Sequence, residues 1–445
     1  MEKINIERLN ETVYVHTLPS KLKIFIWPYQ MASDIYLTLT IKYGSIDSSF
    51  EINKKKYNVP NGLAHFLEHI KFNEKDMSAH EYFNKLGSYV NAYTTYDHTS
   101  YEVMCNDNLK DNLSHLLFFV QNNYFTKELI EKEKPIIIEE ANMTKDNPYN
   151  EGYFALLNNV YKNDNHKNLV TGDKKDIQKI TIEDVQKVFN AFYHPENMFL
   201  VVTGNVNPYE VIKICESYYE KVNVPSYQNP KIIYPKELSK VNNKESEIYS
   251  NVSKEKLFYA VKMAKSKFKG FDDLHLRLYF NIALDINFGD TSLFYENIIK
   301  NNIADDLSYQ TIVNKDFVLL IFESSSSYPK ELLKLLNEKI DNLDFDEKDF
   351  IRKNRAYTAG VLVGFEDAID VNNDIRQNLI RYGKVINNYP SIFENLDIND
   401  GKTILKQIGK ERCYVILKPK EWKTPFFIQK KNGNFLPLSI IELND

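Results

Sequence analysis

The sequence predicts an α+β protein of two similar halves, each a mainly antiparallel sheet with helices packed on one face. The chain has 445 residues, of which 43% are hydrophobic and 26% charged, so it is globular and too long for one core. Strand-like and helix-like periods alternate on both sides of residues 221–245. That stretch holds three prolines and no clean period. We therefore predict a first half over 1–222, a linker over 223–245 and a second half over 246–445.

The first half begins with short alternating segments, and its clearest strand, 35–43, is rich in β-branched and aromatic residues and ends at Gly44. The helices show apolar residues three and four positions apart, and Ser78 and Gly87 supply the cap and the stop of one of them. The predicted strands of this half are 13–16, 22–26, 35–43, 89–95, 99–104 and 199–204, and the predicted helices are 62–73, 78–86, 108–121, 127–145 and 208–220.

The second half repeats this mixture of strands and helices after the linker. Its predicted strands are 257–262, 307–312, 316–323 and 413–417, and its predicted helices are 270–287, 291–301, 329–342 and 347–380. The order of the two kinds of element suggests the same architecture as in the first half, without a residue-level repeat.

Charge and cysteine content restrict the function classes. Lys and Arg number 56 and Asp and Glu number 61, a net charge of −5, which gives no general reason to bind nucleic acid or an anionic membrane. No apolar run is long enough for a membrane span. The chain starts without the apolar core of a signal peptide, and Cys105, Cys215 and Cys413 form no paired motif. We expect a cytoplasmic protein that contacts neither nucleic acid nor membrane.

The chemistry of the chain centres on His65-Phe66-Leu67-Glu68-His69 within the predicted helix 62–73. Histidines four residues apart lie one turn apart on one helix face and can chelate one ion. Zinc is the usual imidazole-bound metal for hydrolysis, with three protein ligands and one open position. Glu68 is adjacent and suits the general base. Taken alone, the pentapeptide is also compatible with a helix that only exposes two histidines.

The third ligand must come from another element. The best candidate is the run Ile136-Ile137-Ile138-Glu139-Glu140, because a carboxylate beside buried isoleucines is costly unless a cation compensates it. Glu133 and Glu140 are two helical turns apart and share a face, whereas Glu139 points about 100° away. Glu139 and Glu140 are therefore both candidates for the third ligand.

These motifs resemble the pitrilysin, insulysin and mitochondrial-processing-peptidase family of inverzincins, whose signature is the inverted His-x-x-Glu-His. The resemblance includes Gly62–His69, the stretch Gly87–Thr94 with its Asn-Ala-x-Thr, Glu133-x6-Glu140, and Tyr193–Met198 followed by Gly204. It covers about 35–220, while the second half matches by pattern only.

The resemblance implies one zinc ion per chain with His65, His69 and Glu140 as ligands and Glu68 as the base. Glu133 would orient a ligand histidine. Asn91 and Ala92 would lie on an edge strand that pairs with an extended peptide substrate. The two halves, or two subunits, would enclose a peptide-binding cavity.

Two features depart from the family pattern. Pro135 lies between Glu133 and Glu140 and is expected to kink or restart the helix there. The family's pocket is completed by an Arg and a Tyr from the second half, but the corresponding stretch here, Tyr295–Tyr309, contains no Arg.

The sequence therefore predicts a zinc-dependent endopeptidase that hydrolyses extended, leader or targeting peptides through a zinc-activated water and a Glu base. The alternative is a metal-binding subunit that is inactive alone and needs a paralogous partner carrying the Arg and Tyr. A heterodimer of that kind, or a homodimer, is the expected assembly. His98, in a predicted hairpin turn, is expected to be a solvated surface residue.

Overall fold

The structure, a computed structural model, describes residues 1–420. The end of the predicted second half, 421–445, lies outside the described residues. The strands are β1 (Glu2–Asn5), β2 (Thr12–Thr17), β3 (Lys23–Pro28), β4 (Ile35–Ile41), β5 (Ser49–Ile52), β6 (Lys55–Asn58), β7 (Tyr89–Thr94), β8 (Thr99–Cys105), β9 (Met198–Gly204), β10 (Lys231–Ile232), β11 (Glu245–Ser250), β12 (Lys256–Ala264), β13 (Ser308–Val313), β14 (Phe317–Ser325) and β15 (Arg412–Pro419).

The helices lie between these strands in both halves. They are α1 (Leu63–Lys71), α2 (Ala79–Lys85), α3 (Leu109–Gln121), α4 (Lys127–Asp146), α5 (Pro148–Val160), α6 (Lys174–Lys179), α7 (Ile182–Phe192), α8 (Pro208–Tyr219), α9 (Asp273–Phe288), α10 (Leu293–Lys300), α11 (Pro329–Asp341), α12 (Glu347–Gly364), α13 (Ala368–Tyr382), α14 (Tyr389–Glu394) and α15 (Ile398–Leu405). Within residues 1–420, none of them is both long and apolar enough to cross a bilayer.

The two main sheets share one topology. The first has the order β1-β2-β3-β9-β4-β8-β7 and the second has the order β11-β15-β12-β14-β13. Five strands of the first sheet, β3-β9-β4-β8-β7, thus match the five of the second, and in each set the first pair is parallel, β3 with β9 and β11 with β15. The remaining pairs are antiparallel, and β7 and β13 occupy matching edges. The predicted α+β fold with two similar halves is confirmed.

Each sheet buries one face against the helices of its own half. In the first half, side chains of the strands and of α1, α3, α4, α7 and α8 form one apolar core, with members such as Leu37, Phe66 and Val188. In the second half, α9, α10 and α11 pack on the sheet around Phe280 and Phe322.

The opposite face of each sheet is covered by one helix from the other half. Helix α5 packs on β12 and β15, where Leu157 and Val160 meet Phe258 and Val415. Helix α13 packs on β4 and β9 of the first sheet. Helix packing thus crosses the predicted division at residues 223–245.

A buried ion pair fastens the linker region to the end of α5 and to β12. The Glu237 carboxylate accepts hydrogen bonds from the backbone N–H groups of Lys162, Asn163 and Asp164, just after α5. It also lies 3.1 Å from Nζ of Lys262 on β12, and both side chains are excluded from solvent, at 1% and 0% exposure. Every acceptor position of this carboxylate is therefore used in holding α5, the linker and β12 together.

Three predictions about elements were wrong. The predicted single helix 347–380 is two helices, α12 and α13, because Asp367 caps a new helix by accepting from the N–H groups of Ile369 and Asp370. The expected interruption at Pro135 is absent, since α4 is continuous through this exposed position. His98 is buried rather than solvated, with Nδ1 2.6 Å from Asp97.

Candidate metal centre

Helix α1 presents His65, Glu68 and His69 along one side and buries its apolar side in the core. Gly62 precedes it with φ of 82°, and a Cβ there would lie 2.3 Å from the carbonyl oxygen of Thr171. Only glycine fits this close approach in the left-handed region. The buried Phe66, on the apolar side, fixes the rotation of the helix. The polar side therefore faces the cleft at a defined angle.

Helix α4 brings two carboxylates to this side of α1. The Glu140 carboxylate lies 3.4 Å from Nε2 of His65 and 3.2 Å from Nε2 of His69. Glu133 Oε1 lies 3.0 Å from Nδ1 of His69, on the other edge of the ring. Glu139, the alternative ligand in the sequence analysis, is exposed and faces away. The structure therefore brings His65, His69 and Glu140 together, with Glu133 behind His69.

The electrostatics of the cluster favour a cation. Burial opposes protonation of His69, yet its hydrogen bonds to Glu133 and Glu140 raise the pKa of His69 to about 9. Hydrogen bonds from His65 and His69 hold the pKa of Glu140 far below its usual range. Both pKa shifts have the same cause: the carboxylates are stabilised by a positive charge next to them, which neutral imidazoles do not provide.

The donor set fits zinc. The ligand atoms of His65, His69 and Glu140 lie within 4.8 Å of one another. Bonds of about 2.0–2.1 Å in a tetrahedron separate two donors by roughly 3.3 Å, which matches the spacing of Glu140 from either ring. Two nitrogens and one oxygen leave the fourth position open, as in catalytic zinc sites. Glu133 completes the arrangement by fixing His69 from behind.

Glu68 is not one of the three clustered ligand candidates, and its side chain is shielded from solvent. It is 6% exposed, and burial raises the pKa of its carboxyl although His65 and Thr94 act in the opposite direction. The Thr94 hydroxyl donates to its Oε2 at 2.6 Å. A carboxylate with a raised pKa beside a metal position has the properties of a general base.

Strand β7 forms one wall of the cleft. Among residues 1–420 it pairs only with β8, so that its other edge is open in this part of the chain. Asn91 is exposed and Ala92 half-buried on this strand, and both line the 650 Å³ cleft together with His65, Glu68 and Glu140. An open strand edge offers backbone groups to an extended chain.

The second half does not present the Tyr of its motif to this cleft. The Tyr309 hydroxyl donates instead to Asp285 at 2.6 Å within its own half. The stretch Tyr295–Tyr309, from α10 into β13, has no Arg. This outcome agrees with the departure noted in the sequence.

Two further residues, Thr94 on β7 and Arg376 beside it on α13, were not assigned a role from the sequence. Thr94 could have been found, because alternate strand residues share a face and Ala92 already faces α1. Arg376 of α13 carried no such signal. Its guanidinium lies 4.9 Å from the centre of the Tyr93 ring and 3.8 Å from Glu102, and the residue is 5% exposed.

Fold and site together define a class: a two-half α+β protein with an inverted His-x-x-Glu-His sequence at a candidate metal centre on the first half. Family models match both halves, one described as insulinase (peptidase family M16) over residues 31–174 and one as the peptidase M16 inactive domain over 179–355. The chain belongs to peptidase family M16.

Relatives agree with this membership, and a solved structure shares the fold. The chain is 30% identical over 419 residues to the uncharacterized zinc protease YmfH of Bacillus subtilis, covering 92% of this chain and 94% of that one. It is 25% identical to an uncharacterized zinc protease of Rickettsia felis, over 85% and 90% of the two chains. An M16-like peptidase from Alicyclobacillus acidocaldarius shares the fold, with a TM-score of 0.87 and 23% identity over 94% of this chain and 100% of that one.

Proposed function

We propose that this protein is a zinc-dependent endopeptidase that hydrolyses extended peptides. The observation that carries the proposal is the convergence of His65, His69 and Glu140 next to the buried Glu68. The names of the zinc proteases among its relatives support the same reaction class. We further propose that one zinc ion binds per chain.

The chain's own residues would divide the reaction between them. His65, His69 and Glu140 would hold zinc, which when bound supplies a Lewis acid that polarises a carbonyl and makes water more acidic. Glu68 would take the proton of the attacking water at its carboxylate and later deliver it to the leaving amine. Thr94 holds the Glu68 carboxylate by the 2.6 Å hydrogen bond, so the base is fixed before a substrate arrives.

The open edge of β7 would bind the substrate. A peptide added beside Asn91 and Ala92 would form main-chain hydrogen bonds that make little demand on sequence. Arg376 and Tyr93 stiffen this strand from the side away from α1. We propose that extended segments, including leader and targeting peptides, are substrates for this reason.

The test is Glu68→Gln, which keeps the size of the side chain and a hydrogen-bonding partner for Thr94. We expect zinc to bind as in the parent while peptide cleavage falls roughly 10²–10⁴-fold. Zinc content by elemental analysis and cleavage of a peptide pool by mass spectrometry measure the two effects. Equal cleavage by the zinc-loaded variant would refute the role of Glu68.

The orientation of Tyr309 and the lack of Arg between Tyr295 and Tyr309 favour a second candidate function. In this version the chain is the metal-binding subunit of a heterodimer and needs a paralogous subunit that carries the Arg and Tyr. The test is cleavage by the purified chain with and without a paralogue encoded nearby. Full activity of the chain alone would exclude it, and a homodimer remains the other assembly to compare by mass.

We also propose the division into a metal-binding half over 1–222, a linker over 223–245 and a second half over 246–445. A cytoplasmic location is part of the proposal as well. Its support is that Cys105, Cys215 and Cys413 are all free and buried, as is usual in a reducing compartment.

A further inference from the structure

A second cavity lies between the two sheets, next to the metal cleft. It has a volume of about 740 Å³ and is lined by residues of both halves. Thr94, the last residue of β7, lines the metal cleft, and the next residue, Thr95, lines this cavity. We call it the inter-sheet cavity. A chain laid along the open edge of β7 therefore leads directly into it.

Two arginines of the second half line the inter-sheet cavity, and neither has a carboxylate partner among residues 1–420. Arg277 on α9 donates from Nη1 to the carbonyl oxygen of Thr311 at 2.9 Å. Its Nε and the hydroxyl of Thr311 are buried and have no hydrogen-bond partner within residues 1–420. Arg381 on α13 is exposed at the cavity wall. The carboxylates of Asp97 and Asp374 interact with Arg381 electrostatically, but neither lies close enough to form an ion pair with it.

Three of the four acidic side chains of the cavity wall are already paired. Three are bonded to a neighbouring basic side chain: Asp97 to His98 at 2.6 Å, Asp164 to His166 at 2.6 Å and Asp273 to Lys265 at 2.5 Å. The fourth, Asp316, follows Lys315 on an exposed turn. Within residues 1–420, the cavity wall thus retains the unpartnered Nε of Arg277 and the unpartnered hydroxyl of Thr311, together with the exposed guanidinium of Arg381.

We propose that the inter-sheet cavity binds a carboxylate of the peptide held at the metal centre, with Arg277 and Arg381 as the donors. The inference rests on the proposed peptidase function. Guanidinium groups match carboxylates in geometry as well as in charge. The rest of the wall is mixed, with aromatic and aliphatic side chains such as Tyr96, Tyr153 and Ile380 beside polar and charged ones, so a bound peptide would meet both apolar surface and groups that can orient it. The carboxylate comes from the peptide's C-terminus or from an Asp or Glu side chain.

The experiment measures peptide retention by the full chain with Glu68→Gln, so that turnover does not remove the ligand. A pool of octapeptides of neutral residues is prepared in four forms: with a C-terminal acid or amide, and with one internal Glu or Gln. Mass spectrometry after ultrafiltration gives the enrichment of each form. The same pool with the parent chain reports cleavage, which tests the peptidase function separately.

We expect one of the carboxylate forms to be enriched roughly tenfold over its neutral counterpart. Arg381→Gln and Arg277→Gln should each lose most of this preference while still retaining the neutral peptides. Arg352→Gln is the matched control, since Arg352 is exposed and pairs with Asp349 away from the cavity. Circular dichroism and melting temperature establish folding, and Arg381→Lys should keep part of the preference.

The acid and amide pair and the Glu and Gln pair separate the two sources of the carboxylate. Equal retention of all four forms by the chain would overturn the proposal, as would a preference that survives in both arginine variants. Retention of no peptide at all would also overturn it. Cleavage of peptides without any carboxylate preference would leave the peptidase function standing and the cavity proposal refuted.

Discussion

Removing the Glu133 carboxylate should weaken zinc binding without removing a ligand. Its Oε1 lies 3.0 Å from Nδ1 of His69, and Glu133 is 8% exposed, so water cannot readily replace it. A hydrogen bond of this charged kind contributes about 1.5–3 kcal/mol, which corresponds to a loss of roughly 10- to 100-fold in affinity for Glu133→Ala. Glu133→Gln keeps the acceptor but not the charge, and we expect a loss of roughly fivefold.

Competition with a chromophoric chelator measures the zinc dissociation constants of the parent and both variants. Glu131→Ala is the control, because Glu131 lies on the same helix, is exposed and pairs only with Lys134. Its affinity should equal that of the parent. If Glu133→Ala bound zinc within twofold of the parent, the argument that Glu133 holds His69 in place would be refuted.

Three other substitutions test the fold and the base. Thr94→Val should retain zinc and lower kcat, because it removes the 2.6 Å hydrogen bond to Glu68; unchanged kcat would contradict this. Glu237→Ala should lower the free energy of unfolding by about 3–5 kcal/mol in urea titrations, since it leaves a buried ammonium unpaired. Burial raises the pKa of Glu237, but hydrogen bonds from the backbone and from Lys262 outweigh it and lower the pKa from 4.5 to about 2. The contribution of Glu237 to the free energy of unfolding is therefore present above pH 4.5 and is lost as the pH falls from 4.5 to 2. The urea midpoints of parent and variant should converge over that range, and a difference between them that stays constant with pH would contradict this. Gly152→Val should lower the melting temperature, because a Cβ would lie 2.1 Å from the Phe258 ring; an unchanged value would show that the ring moves aside freely.

The convergence of the candidate ligands was predictable from sequence because its signal is local. His65, Glu68 and His69 lie within about one turn of α1, and helical geometry fixes their common face. Glu133 and Glu140 lie on a second helix with the same period, so only the contact between the two helices had to be inferred. Pro135 misled the prediction because a proline at an exposed helix position loses one hydrogen bond whose freed carbonyl can be solvated.

The parts that could not be predicted depend on contacts distant in sequence. The break between α12 and α13 is set by the Asp367 cap, within a stretch whose period is helical on both sides. Helix α5 lies on the sheet of the other half, a placement that its own apolar positions cannot specify. The positions of Arg376 and of the arginines of the inter-sheet cavity could not be predicted, because they depend on the packing of α9 and α13 near β7 and β13.

The exchange of covering helices means that the two halves cannot be obtained as independent fragments. A chain severed within 223–245 would still have α5 of the first piece seated on β12 and β15, and α13 of the second piece seated on β4 and β9. Expressed separately, each piece would expose an apolar sheet face and an apolar helix stripe, and would aggregate or recapture its complement. Any opening motion of the protein must accordingly pivot about the short connections that flank α5 and α13, where the chain passes from one sheet to the other.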